Sequence, residues 1–172
     1  MIKVESNNLF LKSKFEDLLI QKNYQLSTKK KFLTIELEDK DSLINIFLNS
    51  DNFRFSKPAT FEEIFTKISL SILKTKILFH GTIYYPFRQL IEYKTKIYNF
   101  KNFNNILFSN LFLYPEGISK LDLYKKIWPG DKQVSINKLD THLTNLKIDL
   151  VKSIDFDFKF QSKLGILRLI ID

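Results

Sequence analysis

The sequence predicts two small mixed domains, an α/β unit over residues 1–75 and an α+β unit over residues 76–172. Three observations carry this division. Up to residue 75, short apolar segments change between alternating and three-four spacing, the two periods of strand and helix. Residues 77–100 are crowded with β-branched and aromatic side chains. Beyond residue 101, three helical stretches are followed by one alternating tail. No Gly/Ser-rich linker separates the units, so they are expected to abut.

In the first unit, "IKV" is a short apolar strand, and "LFLKSKFEDLLIQKN" has helical spacing through Leu11, Phe15, Leu18 and Leu19. "FLTIEL" alternates as a strand should. "DSLINIFLNS" fits helix or strand equally. "FRFSKPATFEEIFTKISLSIL" reads as a strand, a Lys57-Pro58 turn and a helix, because Pro58 forbids one continuous helix. Thr60 and Glu63 have the spacing of a capping box.

In the second unit, "ILFHGTIYYPFRQLIEYKTKIYNF" is broken by Gly81, Pro86 and "EYKT" and predicts three or four antiparallel strands. "KNFNNILFSNLFLY" is a helix packing through Phe103, Ile106, Leu107, Asn110 and Leu111, stopped by "PEG". Ser119 and Asp122 open "KLDLYKKIW" as a second helix. After the loop "PGDKQV", Ser135 is a natural N-cap for "INKLDTHLTNLKIDL", where Ile136, Leu139, Leu143, Leu146 and Leu150 form one apolar stripe. The tail "FDFKFQSKLGILRLIID" alternates around "SKLG", which predicts a terminal hairpin with Phe156, Phe158 and Phe160 turned to the core. Three helices closed by a hairpin is the order of a winged helix-turn-helix.

Composition narrows the function. Hydrophobic residues make up 44% of the 172, enough for a core. No apolar run approaches the ~18 residues of a membrane span, and "MIKVESNN" has no signal-peptide character, so a soluble, cytoplasmic protein without a membrane partner is expected. With no Cys and two separated His, no metal site or thiol chemistry is expected. There is no GxGxxG, P-loop, HExxH or GxSxG, so no catalytic residues, enzyme activity or cofactors are predicted. The +8 charge comes from 24 Lys and only Arg54, Arg88 and Arg168, a skew that AT-rich codons supply without selection. Its location says more: residues 1–75 are net +2 and residues 76–172 net +6, so a polyanion, if one is a partner, would be met by the second unit.

From about residue 77 onward, the chain resembles the winged-helix output domain of the OmpR/PhoB family of response regulators. The resemblance rests on "YPEGISKLDLYKKIW", with its proline-glycine turn, Ser119 and Ile127-Trp128 pair, and on "LDTHLTNLKIDL". In the latter, Leu139, Asp140, His142, Leu143 and Leu146 match the family's Val-Asp-Val-His-Ile and following Arg-Arg-Leu-Arg-Lys. Thr144, Asn145 and Lys147 stand where the family has arginines, and Asn137 where an arginine often opens the helix. "LGILR" replaces the wing's Gly-x-Gly-Tyr-Arg and retains Arg168, with Lys163 shortly before it. The resemblance implies a double-stranded DNA partner read by a recognition helix at 135–152, an RNA polymerase contact through the 128–134 loop, and a homodimer.

The first unit resembles a receiver domain of the same family, abbreviated. "IKVESNN" stands where a receiver delivers its acidic pair, "KNYQL" resembles the entry to the second strand, and "FRFSKPATFEEIFTKI" resembles the Lys-Pro junction and last helix. At about 30 residues per βαβ step, there is room for about three units of five. Glu5-Ser6-Asn7 supplies one acid where two are expected. Glu38, Asp39 and Asp41 read as a charge run, so no phosphoacceptor is assigned.

The candidate DNA-binding residues are Asn137, Lys138, Thr141, His142, Thr144, Asn145 and Lys147 on the helix, with Lys163 and Arg168 on the wing. Asn can bond adenine in a bidentate way, Thr offers a hydroxyl or methyl to bases, and Lys meets phosphate or guanine. Codon drift filling an exposed helix face is the competing explanation. His142 would either donate to phosphate or lie half-buried beside the apolar seam. The aromatic and basic segment 82–100 could also be read as a single-strand stacking platform, but a sheet is the expected reading.

Overall fold

The computed structural model describes residues 1–170. The chain divides into two compact units, Met1–Thr75 and Lys76–Asp172.

The first unit is a four-stranded sheet in the order β1-β2-β3-β4, made of β1 (Ile2–Ser6), β2 (Leu33–Asp39), β3 (Leu43–Leu48) and β4 (Asp51–Ser56). Helix α1 (Leu9–Gln21) connects β1 to the parallel β2, and α2 (Phe61–Lys74) follows β4. Leu33, Ile35, Leu37, Ile44, Ile46 and Leu48 are buried on the sheet, with Leu11, Phe15, Leu18 and Leu19 of α1 and Ile64, Ile68 and Ile72 of α2 completing the core. The capping box forms: the Glu63 amide donates to Thr60 Oγ1 and the Thr60 amide to Glu63 Oε2.

This sheet departs from the receiver expectation. A reduced receiver would continue as parallel βα repeats, whereas one βαβ crossover here gives way to an antiparallel meander over β2, β3 and β4. The cause is connection length. Three residues join β2 to β3 and two join β3 to β4, whereas a parallel connection needs about a dozen or more. Asn49 takes φ +50° in the second turn, the left-handed region that Asn tolerates. "DSLINIFLNS", ambiguous as sequence, is therefore strand.

The second unit begins with an antiparallel meander of β5 (Ile77–Phe79), β6 (Thr82–Tyr85), β7 (Leu90–Tyr93) and β8 (Lys96–Asn99). Helices α3 (Asn102–Leu113), α4 (Lys120–Ile127) and α5 (Ile136–Ile154) follow. A second sheet, ordered β10-β11-β9, joins β9 (Ile118–Ser119) to the terminal hairpin of β10 (Lys159–Lys163) and β11 (Ile166–Ile170). This is the winged-helix arrangement.

One polar node holds α3 to the first meander. Tyr84 is fully buried, and its hydroxyl donates to Asn105 Oδ1 at 2.8 Å and lies 2.5 Å from Ser109 Oγ. Asn105 donates onward to the Pro86 carbonyl. Burial pushes the Tyr84 pKa above its ordinary value. Phe100 and Phe108 pack edge-on against the Tyr84 ring. Phe108 is thus a core residue, alongside the Leu107 and Leu111 stripe.

Candidate nucleic-acid interface

Helix α5 is anchored from beneath. Leu139, Leu143, Leu146, Leu150 and Ile154 are at most 4% exposed, and Ser135 caps the start by accepting from the Lys138 amide. Asp155 ends the helix in the left-handed conformation. A helix fixed this way presents its opposite face rigidly, and that face carries Asn137, Thr141, Thr144 and Asn145, all exposed.

The other predicted residues are placed differently. Lys138 is half-buried: its ammonium is 2.9 Å from Asp131 Oδ2 and 4.3 Å from the centre of the Trp128 ring. Asp131 also accepts from the Tyr124 hydroxyl at 2.5 Å, and these two donors hold its carboxyl below the ordinary carboxylate range. Lys138 is thereby drawn off the outward face toward the loop before α5. His142 is half-buried with its ring 4.6 Å from Phe103 and 5.4 Å from Trp128, on the flank of the seam. Lys147 lies 3.5 Å from Asp157.

On the wing, Lys163 is exposed at the end of β10, opposite Ile166. Arg168 donates from Nε to the Glu116 carbonyl at 2.6 Å. Gly117 makes that contact possible. At φ +105°, a Cβ there would stand 2.5 Å from Ile166 Cγ2 and 2.9 Å from Arg168 Cγ. Phe156 and Phe158 are buried and Phe160 is half-buried.

Two features of the interface went unread in the sequence. The outward stripe of α5 runs on past Asn145 through Ile148 and Val151, which are 42% and 37% exposed. The three-four spacing from Thr144 to Ile148 to Val151 was present to be followed, but only the polar residues of that face were taken as candidates. These two residues line a cleft of about 740 Å³ between α5 and the wing, with Thr144, Lys147, Phe160 and Ile170. The second feature is the set of partners that Asp131, Asp157 and Glu116 provide to Lys138, Lys147 and Arg168. These depend on loop paths that carry no periodic signal.

A polar cluster also closes one end of the first unit's sheet. Lys57, before the cis Pro58, is 2.7 Å from Asp39 Oδ1, and Asn8 donates to Asp39 Oδ2 at 2.6 Å. Asn7 brackets the Asp39 backbone, accepting from its amide and donating to its carbonyl. Lys57 and Asn8 hold the Asp39 carboxyl below its ordinary range. Among the described residues, no group of three or more His, Asp or Glu could hold a metal ion, and no helix is long and apolar enough to cross a membrane.

No family model matches the chain, and no curated protein does. Among solved structures, it is similar to the C-terminal domain of the nisin resistance regulator NsrR, a lantibiotic response regulator. The identity is 26%, over 55% of this chain and 96% of that one, with a TM-score of 0.43.

Proposed function

We propose that the protein is a DNA-binding transcriptional regulator whose α5 enters the major groove, with the wing beside it. The observation that carries this reading is the rigid, outward, uncharged face of Asn137, Thr141, Thr144 and Asn145 over a fully buried leucine seam. An α-helix fits the major groove, and short amides and hydroxyls match base edges there. The net +6 charge of residues 76–172 supplies the long-range attraction.

Regulation without phosphorylation is part of the same proposal. What supports it is the Asp39 carboxylate, already bound by the Lys57 ammonium and the Asn8 amide, and the single acid that Glu5-Ser6-Asn7 supplies where magnesium would require more than one. Dimerisation is proposed for the first unit, whose helices leave Leu9, Phe10, Ile20 and Leu70 more than half exposed. Two recognition helices joined in this way would gain effective concentration on a two-fold site.

A second reading has its own support. Lys138, Lys147 and Arg168 are each engaged within the protein, which favours a module that has given up DNA and contacts RNA polymerase or another regulator through residues 128–134.

Fluorescence anisotropy of the whole protein on random and enriched duplex pools at two salt concentrations separates the readings. A regulator binds with an affinity that falls steeply with salt, by about 0.9 log units per log unit of salt for each phosphate neutralised, and prefers enriched sequences. Salt-sensitive binding without preference would indicate a nucleoid-type coating protein. Absence of binding at low salt would favour the protein-contact module.

A further inference from the structure

We propose that α5 selects A·T base pairs by reading thymine methyl groups through Thr141, Thr144 and Ile148, a specificity that rests on the DNA-binding function proposed above. The three side chains occupy successive turns of the outward stripe and all are exposed. Thr141 donates its hydroxyl to the Asn137 carbonyl and Thr144 to the Asp140 carbonyl, each at 2.9 Å. Their hydroxyl protons are therefore engaged within the helix. What each threonine offers outward is a methyl group and an oxygen that only accepts. Ile148 extends the same surface with a purely apolar side chain, 42% exposed.

The dimensions and chemistry fit a short run of thymines. From residue 141 to 148 the helix rises about 10 Å at 1.5 Å per residue, the height of about three base pairs at 3.4 Å each. In the major groove only thymine presents a methyl, and its partner adenine presents an N6 donor beside an N7 acceptor that an Asn amide matches. Asn145 adjoins Thr144 and Thr141 on this face and supplies that amide. Guanine is most often read by a cationic fork. Helix α5 has no Arg, and Lys138 and Lys147 stand beside Asp131 and Asp157.

The test replaces thymine with deoxyuridine, which removes the methyl and leaves every hydrogen-bonding group and charge in place. The probe is the best duplex enriched from a random pool, synthesised in both forms and titrated with the whole protein by anisotropy. One buried methyl is worth about four-fold in affinity, so two or three contacts predict roughly a fifteen- to sixty-fold loss on the uracil duplex. Thr144→Ser, which keeps the hydroxyl and its backbone bond, and Ile148→Ala should weaken binding to the thymine duplex and narrow its advantage over uracil. Thermal unfolding of both variants confirms that the fold is retained. Equal affinity for the two duplexes, with salt-sensitive binding intact, would overturn methyl reading and leave DNA binding standing. Full discrimination surviving in both variants would overturn the assignment to these residues. No binding to either duplex at low salt would remove both proposals.

Discussion

The sheet end of the first unit and the outward face of α5 are both built from Asn and short polar side chains, yet they are opposite in kind. Around Asp39, each polar group meets another: Lys57 and Asn8 at the carboxylate, Asn7 at the backbone. On α5, the amides of Asn137 and Asn145 face solvent from a helix whose other side is fixed by buried leucines. A polar cluster closed on itself holds a fold together. A polar face left open on a rigid element is available for recognition.

The sharpest way to break this comparison is to loosen the rigid element. Leu146 is fully buried, so Leu146→Ala should cost the second unit about 2–5 kcal/mol. Trp128 is the sole tryptophan and lies in that unit, so the midpoint of its fluorescence transition in urea reports the loss directly. DNA affinity should fall with it, because a frayed helix no longer presents a fixed face.

Changing the open face itself should separate recognition from stability. Asn145→Glu sets a carboxylate on an exposed position and should change the unfolding free energy by less than about 0.5 kcal/mol. The same change should lower duplex affinity at least tenfold, on the order of 1.4 kcal/mol, because the new charge meets base edges and phosphates. Unchanged affinity would mean that this face is not the interface.

The closed cluster should respond in the reverse sense, in stability and its pH dependence. The Asp39 pKa is lower in the folded protein than in the unfolded chain, so its ionised form favours folding. That stabilisation is complete above the unfolded value of about 3.9 and is lost as pH falls through the folded one. Asp39→Asn should therefore destabilise the first unit at neutral pH, and the gap from the parent protein should close in acid. Circular dichroism melts across that range give the measurement. DNA affinity of an otherwise folded Asp39→Asn protein should change little.

The smallest expected effect is a gain. Leu164 sits at the wing tip with φ +50° and 94% exposure, a conformation that Asn adopts more readily than Leu. Leu164→Asn places the favoured Asn-Gly pair before Ile166 and should stabilise the hairpin by about 0.5 kcal/mol, read as a small rise in Tm.

Legibility in the sequence followed periodicity. The leucine seam of α5, its Ser135 cap and the Thr60-Glu63 capping box could be read because each depends on spacings of three or four within one segment. The buried state of Asn105 and Ser109 could not, since their partner Tyr84 lies 21 and 25 residues away. Lys138 illustrates the same limit at the candidate site. Helical spacing assigned it to the outward face, while Asp131 and Trp128, which draw it aside, come from a loop without a pattern. The meander of the first unit was within reach, because connections of two and three residues exclude parallel crossovers. Its strand β3 was obscured by apolar residues at consecutive positions, where alternation would have marked it.

Those two short connections also bear on how the chain acquires its structure. Two of the three strand pairings in the first unit are joined by two or three residues and close almost no loop, leaving β1-β2 as the one distant pairing between its named strands. Contacts that are local in sequence form early because little chain entropy opposes them. During synthesis, the hairpins of β2, β3 and β4 are expected to assemble before helix α5 has left the ribosome, so the second unit would complete its fold on a chain whose first unit is already formed.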